Sequence, residues 1–377
     1  MTILALDVET TTFQKGNPFA RRNNLVYAGI NIEGRDIQLG TTDVLSYIGP
    51  EVVRASLVVG CNIKFDLHWL RRYGYTLGDN GRVWDVQLAH FLLTSQRNPY
   101  PSLNDCCAYY GLPRKDSRTS DYWKRGIDTP DISQEEMIDY LRNDLILTWE
   151  VYERQRKEFT HRWNREQLFN LFKLQCLDLL CLEEMEANGL LYDTLSSQEK
   201  SEVLWKEMAE INKELNSHDP YSLINWNSGD HLSVFLFGGI LSNPIKKLVG
   251  IYKSGLKAGE PRYKNDVVKF EYEGYTKPLK GTELKKEGFY STDENHLRQL
   301  KTPKHILELL LRRSQITKLL DSYQGLPTLI EEKDWEDNIL HGNFNQCVAR
   351  TGRLTSSSPN EQNFPEEVNQ LIVSKYV

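Results

Sequence analysis

The sequence predicts an α/β domain at the front of the chain and a mainly helical region behind it, on three observations. Apolar runs of strand length come first, at residues 3–8, 25–32 and 57–60. Helical periodicity then takes over, from about Ser133 to Arg156 and again from about Gln167. The chain has 377 residues, 40% of them hydrophobic and 26% charged, enough for two or three soluble cores.

Residues 3–8 are an apolar run closing on a carboxylate, the pattern of a buried strand that delivers a charge to a sheet edge. Residues 25–32 are β-branched and aromatic, a second strand, and 57–60 a third, followed by a helical stretch through Leu67, Trp69 and Leu70. Residues 86–93 read as an apolar helix. Ser133, with Glu136 three residues on, is a capping-box start for the strong helix that follows. Strands first and helices after predict an α/β or α+β domain ending near residue 158. Beyond it, Leu168, Leu171, Phe172, Leu179, Leu182 and Met185 recur at helical spacing as a core stripe, stopped by Asn188-Gly189. A second helix from about Ser196 carries Val203, Leu204, Met208, Ile211 and Leu215. Residues 241–290 are irregular; 260–275 alternates in places, compatible with a β-hairpin amid many lysines. That stretch reads either as a solvated loop face or as an element tracking phosphates. Helical spacing returns at 297–320, and the segment from His341 has no clear period.

No apolar run approaches the roughly 20 residues that span a bilayer. The first residues run straight into a strand without the features of a signal peptide, so the expected location is the cytoplasm. The six cysteines form no CxxC pair and no zinc set, which predicts free thiols. A net charge of −6 does not advertise a nucleic-acid binder, but cations gathered on one face suffice for phosphate whatever the total.

Four acids carry the chemistry. Asp7 and Glu9, two apart on an extended strand, point to one face. Asp66 follows a strand, in the stretch from Asn62 through Phe65. Asp144 lies four residues after Tyr140, so on a helix these two share a face. Such a set suits phosphodiester hydrolysis, in which two Mg²⁺ or Mn²⁺ ions about 3.5–4 Å apart activate a water and stabilise attacking and leaving oxygens. Hard cations take oxygen ligands, which calls for carboxylates rather than His or Cys. Each signal alone is weak: Asp66 could cap a helix, Asp144 could be a surface acid and Tyr140 a core aromatic. Their ordered combination is much rarer.

That order, DxE then NxxFD then YxxxD, resembles the three motifs of the DEDD exonucleases in their tyrosine subclass. The resemblance implies a ribonuclease H-like exonuclease domain, a mixed sheet flanked by helices. It implies that Asp7 bridges two divalent cations, Mg²⁺ or Mn²⁺, and that Glu9 and Asp144 complete the one holding the attacking water. Asp66 would serve the second, and Tyr140 would orient the water beside Glu9. By the same positional match Asn62, Phe65 and Phe13 would meet the terminal nucleotides, Phe13 as an apolar wedge indifferent to base identity.

The second half resembles family A DNA polymerases. Residues 180–189 with Asp193 are similar to the family's "LxxMExxGxxxD" helix. Asn225-Trp226-Asn227-Ser228 with Leu232 and Leu236-Phe237 resembles a thumb element. Tyr290-Ser291-Thr292-Asp293 with Leu297, then 314–320, resembles the "YSTDxxxL" and "KLL" elements. The sharpest match is residues 349–365, ARTGRLTSSSPNEQNFP, against "TGRLSSxxPNLQNIP". In the family this segment lies along the primer–template minor groove, so Arg353, Asn360 and Gln362 are the implied contacts, where acceptors are nearly degenerate between base pairs. Glu361 departs from the usual Leu.

The implied organisation is an exonuclease domain over 1–158, a helical thumb-like region over 159–335 with an irregular insertion at 241–290, and the start of a palm over 336–377. The family's later palm and fingers motifs do not occur before Val377, so the chain is expected not to polymerise DNA alone. The remaining motifs are expected either on a longer form of this chain or on a separately encoded palm and fingers chain, which would then be its partner, and a bacteriophage enzyme working in a bacterial cytoplasm is the expected setting. The leading expectation is a proofreading exonuclease joined to a DNA-holding region, acting on single-stranded 3′ ends and primer–template DNA. A non-catalytic primer-template-binding subunit and a free-standing RNase D-like exonuclease are the alternatives. Lys246, Lys247, Arg312, Arg313 and Lys318 are candidate phosphate contacts, each equally readable as a solvated charge.

Overall fold

The computed structural model describes residues 2–78, 81–115, 118–162, 165–251, 260–301 and 303–375. By its internal contacts the chain falls into one unit of Met1–Thr194 with Leu326–Val377 and another of Leu195–Gly325.

The first unit opens with three antiparallel strands, β1 (Ile3–Thr10), β2 (Leu25–Ile32) and β3 (Asp36–Thr41). Helix α1 (Leu45–Arg54) leads to β4 (Leu57–Gly60), and helix α2 (Ile63–Arg72) to β5 (Val83–Asp85). The sheet order is β3-β2-β1-β4-β5, with β4 parallel to both β1 and β5, so the sheet is mixed. Helices α3 (Val86–Leu93), α4 (Leu103–Tyr109), α5 (Arg118–Lys124) and α6 (Gln134–His161) follow, then α7 (Arg165–Asn188) and the short β6 (Leu190–Tyr192). β1 is central, and Leu4, Ala5 and Leu6 are fully buried on it, which explains why its sequence is nearly continuously apolar. Ser133 caps α6 by accepting the Glu136 N–H.

The buried face of α7 is Phe172, Cys176, Leu179, Leu182, Glu183 and Glu186, whereas Leu171 and Met185 are exposed. The sequence stripe was therefore drawn too wide. Residues 172, 176, 179, 183 and 186 keep to one helical face, and Leu171 and Met185 fall about 100° and about 140° from its centre. Phe172 packs against Trp84 at the end of the sheet, with ring centroids 4.6 Å apart. Helix α7 thus belongs with the sheet-bearing unit, and the contact division does not coincide with residue 158.

The second unit comprises α8 (Thr194–Ser217), α9 (Gly229–Phe237), β7 (Gly239–Ile251), β8 (Pro261–Tyr272), α10 (Glu294–Leu297) and α11 (Lys304–Lys333), the end of α11 falling in the first unit. Leu204, Met208, Ile211 and Leu215 are buried along α8, while Val203 is exposed. Strands β7 and β8 form a long antiparallel ribbon, from Gly239 opposite Tyr272 to Ile251 opposite Pro261; its tip, 252–259, lies outside the described residues. The alternation noticed at 260–275 is therefore only the second strand of a hairpin that starts twenty residues earlier. Pro244, the Lys246-Lys247 pair and a bulge between Leu248 and Gly250 hide the first strand's period.

The chain then returns to the first unit with β9 (Ile339–Leu340), β10 (Asn343–Asn345), β11 (Thr355–Ser357), α12 (Glu366–Asn369) and β12 (Ile372–Val373). β12, β6 and β9 make a three-stranded sheet, and β10 pairs with β11. All six cysteines are free, and only Cys181 is exposed. No helix among the described residues is long and apolar enough to cross a membrane.

Candidate active site

The site forms where β1 outruns its neighbour. The ladder to β4 covers only Ile3–Ala5, so the β4 side of β1 is unpaired by the time the strand reaches Val8. Asp66, in the first turn of α2, comes to this stretch and accepts the Val8 N–H at 3.0 Å. Asp7 and Glu9, flanking Val8, share one face of the strand as period 2 requires. The end of β1 is fastened by Thr129, whose hydroxyl donates to the Thr10 carbonyl at 2.6 Å.

Helix α6 contributes from the other side. Leu141 and Leu145 anchor it in the core and turn Tyr140 and Asp144, one turn apart, toward β1. One carboxylate oxygen each from Asp7, Glu9 and Asp144 lie within 4.8 Å of one another. Glu9, Asp66 and Asp144 are buried, and Asp7 is half-buried.

Burial and mutual repulsion dominate the electrostatics. Asp7 is pushed up to about 8, by burial first and then by Asp144. Glu9 is raised by burial and by Asp7; Asp66 is raised by burial and by Asp7, opposed by the Val8 N–H. Burial, Asp144 and Glu9 also raise the Tyr140 phenol, which keeps its hydroxyl protonated. Gathering acids this way is unfavourable unless a cation offsets them, and the fit to a hard cation is direct. The donors are all oxygens, and Asp7 Oδ2 is buried with no hydrogen-bond partner among the described residues.

Two residues of the site left no mark in the sequence reading. Asp85, at the end of β5, accepts the N–H groups of Asn62 (3.3 Å) and Ile63 (3.0 Å) while capping α3 through Gln87 and Leu88. It thereby fixes the β4–α2 turn, in which Asn62 adopts φ 58°, and so the helix that presents Asp66. Lys115, between α4 and α5, ion-pairs with Asp144 and lies 4.6 Å from the centroid of the Tyr140 ring. Neither residue sits in a periodic pattern; both act through position alone.

The remaining candidates are distributed as follows. Asn62 is exposed on its turn, and Phe65 is half-buried with its ring edge toward Gly16. Phe13 is half-buried in the loop that also carries Gly16, under the Arg22 guanidinium at 4.1 Å. Arg353, Asn360 and Gln362 are exposed on the separate 353–362 stretch around β11. Glu361, between the last two, turns inward; its carboxylate accepts the Gly342 N–H at 2.9 Å, and burial pushes it up to about 7. Four of the five suggested phosphate contacts are engaged within the second unit, Lys247 with Asp266 at 3.8 Å. Arg312 pairs with Glu207 and Lys318 with Glu294, while Arg313 bonds to Asn212, Asn227 and the Trp226 carbonyl.

On the far face of α2, Lys64 and His68 meet Glu186, while Arg71 makes a two-pronged pair with Glu183 at 2.7 Å. Glu186 also accepts the Phe344 N–H, which ties the start of β10 to α2 and α7.

Comparison with known proteins finds two families along the chain. A family profile described as 3′–5′ exonuclease matches residues 32–159, and one described as DNA polymerase family A matches residues 266–375. The exonuclease match starts beyond Asp7 and Glu9 and includes Asp66, Tyr140 and Asp144. The DNA polymerase I of Synechocystis sp. is 27% identical over 311 residues, 81% of this chain and 26% of its own length. That of Bacillus subtilis is 25% identical over 296 residues, 76% of this chain and 27% of its own. The thermostable DNA polymerase I of Thermus filiformis is 39% identical over 99 residues, 26% of this chain and 11% of its own. The chain thus spans about a quarter of the length of the first two relatives. Its fold is similar to the polymerase domain of a Mycobacterium smegmatis enzyme solved with primer–template DNA and dNTP. That match has a TM-score of 0.67 at 18% identity and covers 98% of this chain and 54% of the other.

Proposed function

We propose that this chain, which belongs to the family A DNA polymerases and carries a 3′–5′ exonuclease domain, removes nucleotides from DNA 3′ ends with two divalent cations. The observation that carries this reading is the convergence of Asp7, Glu9 and Asp144 within 4.8 Å, with Asp66 fastened to the same strand. Asp7, beside Glu9 and Asp144, would be shared between the two ions. Glu9 and Asp144 complete one site, and Asp66 serves the other. Bound there, Mg²⁺ or Mn²⁺ would make a water easier to ionise and would offset charge at the phosphate. Tyr140 keeps its proton and so offers a hydroxyl that orients the attacking water together with Glu9. Phe13, Asn62 and Phe65 hold the terminal nucleotides, Phe13 by wedging against the last base.

We assign residues 1–158 to the exonuclease, 159–335 to a thumb-like region and 336–377 to the beginning of a palm. In that arrangement Arg353, Asn360 and Gln362, all exposed, face the minor groove of primer–template DNA, and the chain works where the cell keeps its DNA. A purely DNA-binding role is the weaker reading, because a site with no chemistry to perform has no need to gather four acids together.

The test is release of mononucleotides from 3′-labelled single-stranded DNA in Mg²⁺ or Mn²⁺. The reading predicts stepwise shortening that is lost in Asp7→Ala and Glu9→Ala. Persistence of full-length substrate, or cleavage that survives both substitutions, rules it out; faster cleavage of RNA than of DNA favours an RNase D-like enzyme instead.

A further inference from the structure

Lys115 is paired unlike Lys64 and Arg71, two other half-buried cations of its unit. Lys64 and Arg71 bond to glutamates of α7 that take part in no candidate chemistry. The Lys115 ammonium instead enters the acidic cluster and pairs with Asp144. It lies over the ring of Tyr140, inside the hydrogen-bonding reach of the groups proposed to handle water and metal. Burial alone would lower it; Asp144, then Tyr140, Asp7 and Glu9, outweigh burial and hold it above the usual lysine range.

A single positive charge offsets only part of the charge on three clustered carboxylates, so a divalent ion is the better counter-ion. The two also compete, because the ammonium pairs with Asp144, one of the three carboxylates whose oxygens converge where a metal ion would sit. The ammonium can leave without disturbing the fold. Residues 112–115 belong to no helix or strand, the lysine side chain is 29% exposed, and its four-carbon stem turns freely. No backbone ladder has to break.

Resting on the two-cation reading above, we propose that Lys115 is a removable counter-ion of the exonuclease site, which holds Asp144 in place and must be displaced before a divalent ion can bind. The consequence is that Lys115 weakens the site's own affinity for metal. It acts on the reaction through Asp144 and is a positioning residue.

The experiment is titration of the full chain with Mn²⁺ in the absence of DNA, for the wild type and for Lys115→Met, Lys115→Gln and Lys115→Arg. If the lysine-free state is about a tenth of the population, Lys115→Met and Lys115→Gln bind Mn²⁺ about tenfold more tightly, and Lys115→Arg stays near the wild type. In thermal unfolding the same two neutral variants melt earlier than the wild type without divalent ions and gain more on adding Mn²⁺, a pairing that a merely structural lysine would not produce. Unchanged or weaker Mn²⁺ binding in both neutral variants overturns the role of Lys115 and leaves the metal reading standing. Failure of every protein, wild type included, to bind Mn²⁺ overturns both.

Discussion

Helix α2 separates two groups of buried charge that use the same residue types to opposite ends. Toward β1 it presents Asp66 beside the three clustered acids Asp7, Glu9 and Asp144, and Lys115 pairs with Asp144. Toward α7 it presents Lys64, His68 and Arg71 at helical spacing to Glu183 and Glu186. In the second group each acid has a cation beside it, and Glu183, despite burial that would raise it, is drawn down to about 2 by Arg71 and His68. In the first group acids outnumber cations, and Asp7 is pushed up to about 8. A buried carboxylate with partners serves structure; buried carboxylates in excess mark a place that an outside cation completes.

The sharpest way to break this contrast is to neutralise one member of each group. Asp7→Asn or Glu9→Gln should lower 3′-end cleavage by about 10³-fold, since metal ions contribute several kcal/mol of transition-state stabilisation. Their folding stability without divalent ions should equal or exceed the wild type's, because a repelling charge has gone. Glu186→Ala should do the reverse. Leaving Lys64 and His68 buried without their partner should cost about 3–5 kcal/mol in urea unfolding, and cleavage per folded molecule should fall far less.

The pH dependence of the two groups should have opposite signs. Asp7 releases its proton near 3.8 when unfolded and near 8 when folded. Over that window the folded state holds the extra proton, so this acid makes stability fall as pH rises. Asp7→Asn should flatten that slope, and saturating Mg²⁺ should remove it. Glu183 goes the other way, from 4.5 to about 2, so its contribution is full above about 4.5 and is lost as pH falls through 2. Equal slopes in wild type and Asp7→Asn, followed by chemical unfolding from pH 5 to 8, would dissolve the contrast.

How much of this was legible depended on periodicity. Asp7 and Glu9 were readable together because a strand repeats every two residues, and Tyr140 with Asp144 because a helix brings i and i+4 together. Asp66 needed the ordered motif around it. Asp85 and Lys115 were illegible for a shared physical reason: each reaches its partners across the fold from a strand end or a loop, where sequence carries no face. The ribbon's first strand was hidden by a proline and a bulge, and the α7 stripe was overdrawn because Leu171 and Met185 are apolar without being buried. Glu183 and Glu186 are the converse, charged residues on a buried face, and only the coordinates reveal the cations waiting for them.

Smaller effects refine the account. Asp85→Asn keeps the shape of the side chain but weakens the charge-assisted hold on the α2 turn, and should cost about 1–2 kcal/mol of stability. Tyr140→Phe removes one hydrogen bond to the water, and should lower cleavage about tenfold while leaving Mn²⁺ affinity unchanged. A Tyr140→Phe variant that lost Mn²⁺ would show instead that Tyr140 is part of the cation-holding set.

The most direct measurement of the central claim is anomalous diffraction from crystals of the chain soaked in Mn²⁺. The account predicts two manganese peaks, both in contact with Asp7, one shared with Glu9 and Asp144 and the other near Asp66. A map with no manganese touching Asp7 would contradict it.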